Sequence, residues 1–312
     1  MTARALALRP SVRFDPGILA LLAAVAIWGV TMVITRSALE STGPFTILAT
    51  RFIIGFALLV PFARRRGFTM KMVVRPVFII FGAVGIVAHN GLETLGLQFT
   101  SAGSGALVVA AVPAVTAAMS ILMLKEKVGK MQALGIAISI GGVALVSGSN
   151  SGVAGPAEPF GNLLVFLGVV AWGLYTVQGK RLVTDLPSLV ITTAGMGAAV
   201  GMLVPMAVAE VVLTGMPQVE PIAALGIVYL GVMASGIAYA LWNYALNHVD
   251  AAAAGPFANL VPVIGLIAAI MAGETTSPIQ LLGGAVVAIG LSLSESARIK
   301  HSRDIRDMPS PA

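Results

Sequence analysis

His89, Asn90 and Glu93 stand together in an otherwise apolar stretch of the chain. His89 and Glu93 are four residues apart, so on a helix they share one face. Where such a helix crosses a bilayer, a central charge costs about 2.5–3.5 kcal/mol on insertion scales, so ionisable groups there point to function. An imidazole beside a carboxylate can exchange a proton near neutral pH. The pair is a candidate proton-coupling site or a seat for a substrate ammonium, with Asn90 as a further polar group. The plainer alternative solvates Glu93 near the outer surface and bonds His89 to a neighbouring helix.

A second group is aromatic. Tyr239, Trp242 and Asn243 fall at i, i+3 and i+4, one helical face of ring edges plus an amide that suits an amphiphilic organic substrate. The alternative is a belt of aromatic side chains at the inner membrane surface, which Tyr244 fits well. Trp28 and Trp172, with Tyr175 one turn beyond, line a central cavity or else pack against their glycine neighbours. Pro113 and Pro262 each remove a backbone donor inside an apolar run, giving either a gating kink or a static one. Arg51 is expected to pair with backbone carbonyls or an acid near the outer surface rather than with a substrate. Glu210 is expected at the outer interface.

The elements that position these residues follow from composition. Of 312 residues, 57% are hydrophobic and 10% charged, and the mean hydropathy is +0.95. Soluble domains carry about 25% charged residues. A soluble enzyme, a disordered chain and a nucleic-acid-binding domain are therefore poor readings, despite a net charge of +6. There are no cysteines, hence no disulfides or Cys-ligated metal. No Walker-type loop is present, and no metal site or cofactor is expected.

A spanning helix needs about 20 mostly apolar residues. Ten segments qualify: 16–36, 44–63, 73–95, 101–124, 130–148, 160–179, 187–212, 221–245, 251–272 and 277–296. Unbroken apolar runs exclude an alternating β-barrel. The first run is long for a signal peptide and lacks a small-x-small site, so it is read as a retained helix. With the N-terminus in the cytoplasm, 17 of the 19 basic residues fall on the inner side, leaving Arg36 at an outer end and Arg51 inside the second span. The basic excess is thus an orientation signal. It places both termini in the cytoplasm, including the tail 1–15 and the basic tail 297–312.

The halves repeat. Trp28-Gly29 recurs as Trp172-Gly173, 144 residues on; Pro113 recurs as Pro262, offset 149; Glu126, Gly135 and Gly142 recur as Glu274, Gly283 and Gly290, offset 148. Units 16–148 and 160–296, joined by an outer linker 149–159, each hold five spans. An odd number of spans forces opposite insertion. The charges agree: loop 2–3 carries five basic residues and its counterpart none, while Lys180 and Arg181 lie opposite the single Arg36 of loop 1–2. Inverted repeats are typical of secondary transporters. Gly103 to Ala106 and Ala251 to Gly255 are related small-residue stretches that serve helix packing.

Trp28-Gly29, Pro44, Arg51-Phe52 and Thr100-Ser101-Ala102 leading to Pro113 and Glu126 resemble one EamA domain. Trp172-Gly173-Leu174-Tyr175, Ala238-Tyr239-Ala240-Leu241-Trp242 and Pro262 leading to Glu274 resemble a second. Over nearly its whole length the chain resembles an EamA-type member of the drug/metabolite transporter superfamily. The resemblance implies an all-α integral membrane protein of ten helices in two inverted five-helix repeats. It also implies export, or sometimes uptake, of small metabolites such as amino acids. Glu93 departs from the family, which often has an aromatic residue there, and this sets apart the substrate or coupling ion.

The expectation is a secondary transporter in the cell (inner) membrane that exports small organic metabolites by alternating access. Its partners are a small-molecule substrate, the lipid bilayer and protons as coupling ion, with no nucleic acid. The substrate-binding candidates are Trp28, His89, Asn90, Glu93, Trp172, Tyr175, Tyr239, Trp242 and Asn243. His89 and Glu93 are the proton-coupling candidates, and Pro113 and Pro262 the gating kinks. An uptake carrier, a channel, a non-transporting scaffold and a membrane-embedded lipid enzyme are the rivals, the last lacking clustered interfacial carboxylates.

Overall fold

The computed structural model describes residues 16–124, 129–148, 155–182, 186–246 and 257–306. Arg4, Arg9 and Arg13, the turn Lys125-Glu126-Lys127, most of the linker and Ala251 to Gly255 lie outside them. Among the described residues the secondary structure is entirely helical. Eight helices are long and apolar enough to cross a membrane: α1 Pro16–Ala38, α2 Pro44–Arg64, α3 Pro76–Gly96, α4 Ala102–Met123, α5 Lys130–Ser147, α6 Glu158–Val177, α7 Ser188–Thr214 and α8 Pro221–Ala245. Two shorter apolar helices follow, α9 Leu260–Met271 and α10, which starts at Pro278 and runs on into the basic tail as far as Arg306. That tail, read from sequence as lying beyond the last span, continues the helix.

Local chemistry sets the ends. Proline opens α2, α3 and α8, where its missing N–H is no loss and its fixed φ suits the first turn. Gly215 ends α7 with φ 89°, a conformation open to glycine. The third span begins later than its hydropathy suggests. Residues 70–75 form a short 3-10 turn and bend, tied down by buried Phe68 and Met72 while Arg64, Arg65, Arg66, Lys71 and Arg75 stay exposed.

Between 28% and 44% of each apolar window is buried inside the protein. Leu213 and Met271 are each 83% exposed. Flanks this apolar suit lipid and not water.

The helices pack in defined pairs: α1 with α8, α3 with α6, α2 with α7, α4 with α9 and α5 with α10. Glycines set the closest approaches. A Cβ on Gly135 would lie 2.6 Å from the Gly290 carbonyl, and one on Gly142 would lie 2.7 Å from that of Gly283. Backbones meet this closely only where side chains are absent. Ser139 Oγ donates to the Val287 carbonyl across the same seam at 3.2 Å.

Candidate functional site

Two helices depart from α geometry in their middles. α3 carries a π-helical stretch, Ala83–Ala88, and α8 carries another, Leu230–Ile237. A π-helix shifts the backbone register and leaves carbonyls free for other donors, and it recurs at functional sites. Here the freed carbonyls take side-chain donors. Trp28 Nε1 donates to the Ala234 carbonyl at 2.9 Å, and Asn90 Nδ2 donates to that of Ile86 at 3.1 Å.

An aromatic cluster sits beside each π-helical stretch. Next to that of α8, the Trp28 ring lies 5.4 Å from Tyr239, edge to face, and 5.5 Å from Trp242. Next to that of α3, the His89 ring lies 5.0 Å from Trp172, which lies 5.4 Å from Tyr175. Phe81 closes this row 5.1 Å from Tyr175. Gly85 makes room: a Cβ there would come 2.2 Å from the Tyr175 ring.

His89 Nδ1 lies 2.9 Å from the Gly168 carbonyl, and Nε2 faces Glu93 at 3.9 Å, so α3 presents the two on one face. Electrostatic interactions link Tyr175 with Tyr239, and Tyr239 with Arg51 and Glu93. The two clusters therefore share one interior region.

The structure brings together Trp28, His89, Glu93, Trp172, Tyr175, Tyr239 and Trp242. Tyr239 and Trp242 stack on Trp28, whereas Tyr244 is 43% exposed on the flank, where a belt residue belongs. Asn90 and Asn243 are used differently from the expectation. Both are buried, and each spends its amide nitrogen on a carbonyl four residues back, Ile86 and Tyr239. Arg51 also differs. Among the described residues it has no acid within 4 Å and no carbonyl partner; Nε donates to Ser235 Oγ at 3.1 Å.

α4 breaks at Ala110 and Ala111, just before Pro113. Asn259 is likewise a turn three residues before Pro262. The breaks lie N-terminal to the prolines because a proline cannot donate to the carbonyl four residues back.

Sequence reasoning missed a polar cluster at one end of the bundle. Glu274 accepts the Ala102 and Gly103 amides at 3.1 and 2.9 Å, capping α4, and faces Arg36 at 3.8 Å. Arg36 also donates to the Leu97 and Thr100 carbonyls. Glu210 caps α2 through the Phe45 and Thr46 amides. Glu158, fully buried, accepts from Ser104 at 2.6 Å and Gln280 at 3.0 Å. Carboxylates are favoured at helix N-termini, where amides lack partners. The only hint in sequence was the position of these acids near span ends.

Residues 15–148 and 159–295 each match the EamA-like transporter family. The chain belongs to that family. The uncharacterized inner membrane transporter YedA of Escherichia coli is 30% identical over 278 residues, 88% of this chain and 89% of its own. A probable amino-acid metabolite efflux pump of Salmonella typhimurium is 25% identical, over 89% of this chain and 94% of its own. A crystal structure with 22% identical sequence superposes with a TM-score of 0.61, covering 89% of this chain and 96% of its own. That likeness speaks for the fold alone. This EamA protein is a multi-pass membrane transporter, and the family and its named relatives indicate transport rather than catalysis.

Proposed function

We infer that the protein is a secondary transporter that exports small organic metabolites, amino acids or related amphiphiles, by alternating access. The observation that carries this is the pair of aromatic clusters, each beside a π-helical stretch, with His89, Glu93 and buried Arg51 near them. Rings supply broad apolar contact, while His89, Glu93 and Arg51 supply charge. The efflux role named for the Salmonella relative supports the outward direction. The substrate site is Trp28, His89, Glu93, Trp172, Tyr175, Tyr239 and Trp242, with Asn90 and Asn243 shaping the backbone behind it.

The arrangement is ten spans in two inverted units, 16–148 and 160–296, linked by 149–159. The packing pairs support it. Exchanging the halves turns α1–α8 into α6–α3 and returns α2–α7, α4–α9 and α5–α10 to themselves. The contact of Gly135 with Gly290 becomes that of Gly283 with Gly142, and both are close. The charge distribution supports cytoplasmic termini in the cell (inner) membrane. Rocking would pivot at the breaks before Pro113 and Pro262. Coupling runs through protons on His89 and Glu93, with Arg51 and Tyr239 the other ionisable groups within electrostatic reach.

Purified protein in proteoliposomes, loaded with an unlabelled amino acid and given the labelled form outside, tests the carrier. Saturable counterflow is expected for at least one member of a panel of apolar amino acids. Flux that never saturates and lacks counterflow identifies a channel instead.

A further inference from the structure

Arg51 is 6% exposed, seven residues inside α2. A permanent cation in that position calls for a partner. Among the described residues its one hydrogen bond is to a neutral hydroxyl, from Nε to Ser235 Oγ. Gly55, one turn on, holds that hydroxyl close: a Cβ there would lie 2.7 Å from Ser235 Cβ. Phe52 backs the guanidinium, with its ring centre 4.9 Å from Cζ. Nε and one ring face are thus fixed, while the two terminal nitrogens make no hydrogen bond. Nor are those nitrogens among the sealed polar atoms without partners, which are Ser41 Oγ, Thr42 Oγ1 and Ser147 Oγ. They therefore keep some accessible surface, although the residue as a whole is buried. Ser235 follows Ala234, whose carbonyl takes the Trp28 indole, which places the guanidinium beside the α1–α8 aromatic cluster.

We propose that Arg51 is the anion subsite of the transport cavity and takes the carboxylate of an amphiphilic organic substrate whose apolar body lies on the aromatic rings. Two parallel N–H donors on a planar fork match the two oxygens of a carboxylate. One cation balances one negative charge, and Glu93 in electrostatic range opposes a second, so a monocarboxylate fits better than a phosphate dianion. Ser235 is a positioning residue that fixes the plane of the fork. The inference rests on the aromatic substrate site proposed above.

All three tryptophans of the chain belong to the two clusters, so intrinsic fluorescence reports on the site alone. The full chain in lipid nanodiscs is titrated with phenylacetate, 3-phenylpropionate and octanoate, each beside its primary amide and its amine analogue. A charge-assisted hydrogen bond contributes about 1.5–3 kcal/mol, so the carboxylate is expected to bind about 10–100-fold more tightly than the amide. Arg51→Gln should bring carboxylate binding down to that of the amide and leave the amide unchanged. Arg51→Lys should keep part of the preference, and Ser235→Ala should reduce it. Equal binding of carboxylate and amide by the unaltered protein, or tighter binding of the amine, overturns the anion subsite and leaves the aromatic cavity standing. So does a preference that survives Arg51→Gln. Fluorescence unmoved by every probe removes the aromatic cavity itself, and the subsite with it. If Arg51→Gln fails to fold, Ser235→Ala and Arg51→Lys decide the matter, since a preference unchanged in both overturns the subsite.

Discussion

The two aromatic clusters are built alike and charged differently. Each lies beside a π-helical stretch, and each pairs a helix of one half with a helix of the other. On the α3–α6 side, His89 bridges Trp172 and Glu93. On the α1–α8 side the corresponding turn of helix holds Tyr239, Trp242 and Asn243, and the Trp28 indole is spent on a freed carbonyl. Duplication supplied one scaffold twice. One copy now sets an imidazole beside a carboxylate, and the other presents ring edges and an amide. Under the proposed function, the first cluster would carry coupling as well as recognition, and the second recognition alone.

The largest expected effect comes from erasing that difference. Glu93→Gln leaves an uncharged group of the same shape four residues from His89. The pH profile of transport, assayed across roughly pH 5 to 8, should change. A profile like that of the unaltered protein would remove the pair from coupling.

Trp28→Ala attacks the opposite cluster. An aromatic contact contributes about 0.5–1.5 kcal/mol, so loss of the Trp28 ring as a substrate contact should raise the apparent substrate constant up to about tenfold. The pH profile should keep its shape. Trp172→Ala should raise the constant similarly but also shift the profile, because His89 stacks on that ring. Equal behaviour of the two variants would mean that the clusters are not specialised.

A smaller effect tests the π-helical seat. Gly85→Ala places a methyl group against Tyr175 and should cost about 1–3 kcal/mol through overpacking. Gly91→Ala, one turn beyond that stretch and with nothing within 4 Å of its Cβ position, should be neutral or stabilise by about 0.5–1 kcal/mol. Thermal unfolding in detergent compares them.

Much of this was legible in the sequence. Hydropathy located the spans. The offset of 148 between Gly135 and Gly283 marked the duplication, and four-residue spacing put His89 beside Glu93. The π-helical stretches were not legible, since Ala83-Val84-Gly85-Ile86-Val87-Ala88 has the apolar look of any span and its register depends on what packs against it. Nor were contacts that join distant elements. Arg51 and Ser235 are 184 residues apart, and no local pattern says that a serine in α8 faces α2. Glu274 and Glu210 lie at span ends, where hydropathy expects solvated acids. Their roles as caps depend on which helix start comes to rest beside them.

Those acids give the smallest expected effects, set apart by geometry. Arg36 and Glu274 are 3.8 Å apart, with side chains 25% and 14% exposed. The pair is half-buried and at the long end of ion-pair distances, so it alone should contribute about 1 kcal/mol or less. The amide contacts should count for more, because Glu274 satisfies two N–H groups that have no partner within α4. Glu274→Gln keeps a side-chain oxygen for one amide and removes the charge. Glu274→Ala removes both contacts and should cost about 1 kcal/mol, as lost caps do. Unfolding of the two variants should therefore fall in the order Ala below Gln. Raising the salt concentration should leave that order in place, since screening weakens the ion pair and not the hydrogen bonds. A Gln variant as unstable as the Ala variant, with both losses shrinking in salt relative to the unaltered protein, would assign the stabilisation to charge, and this end of the bundle would then be held by its ion pair rather than by its helix cap.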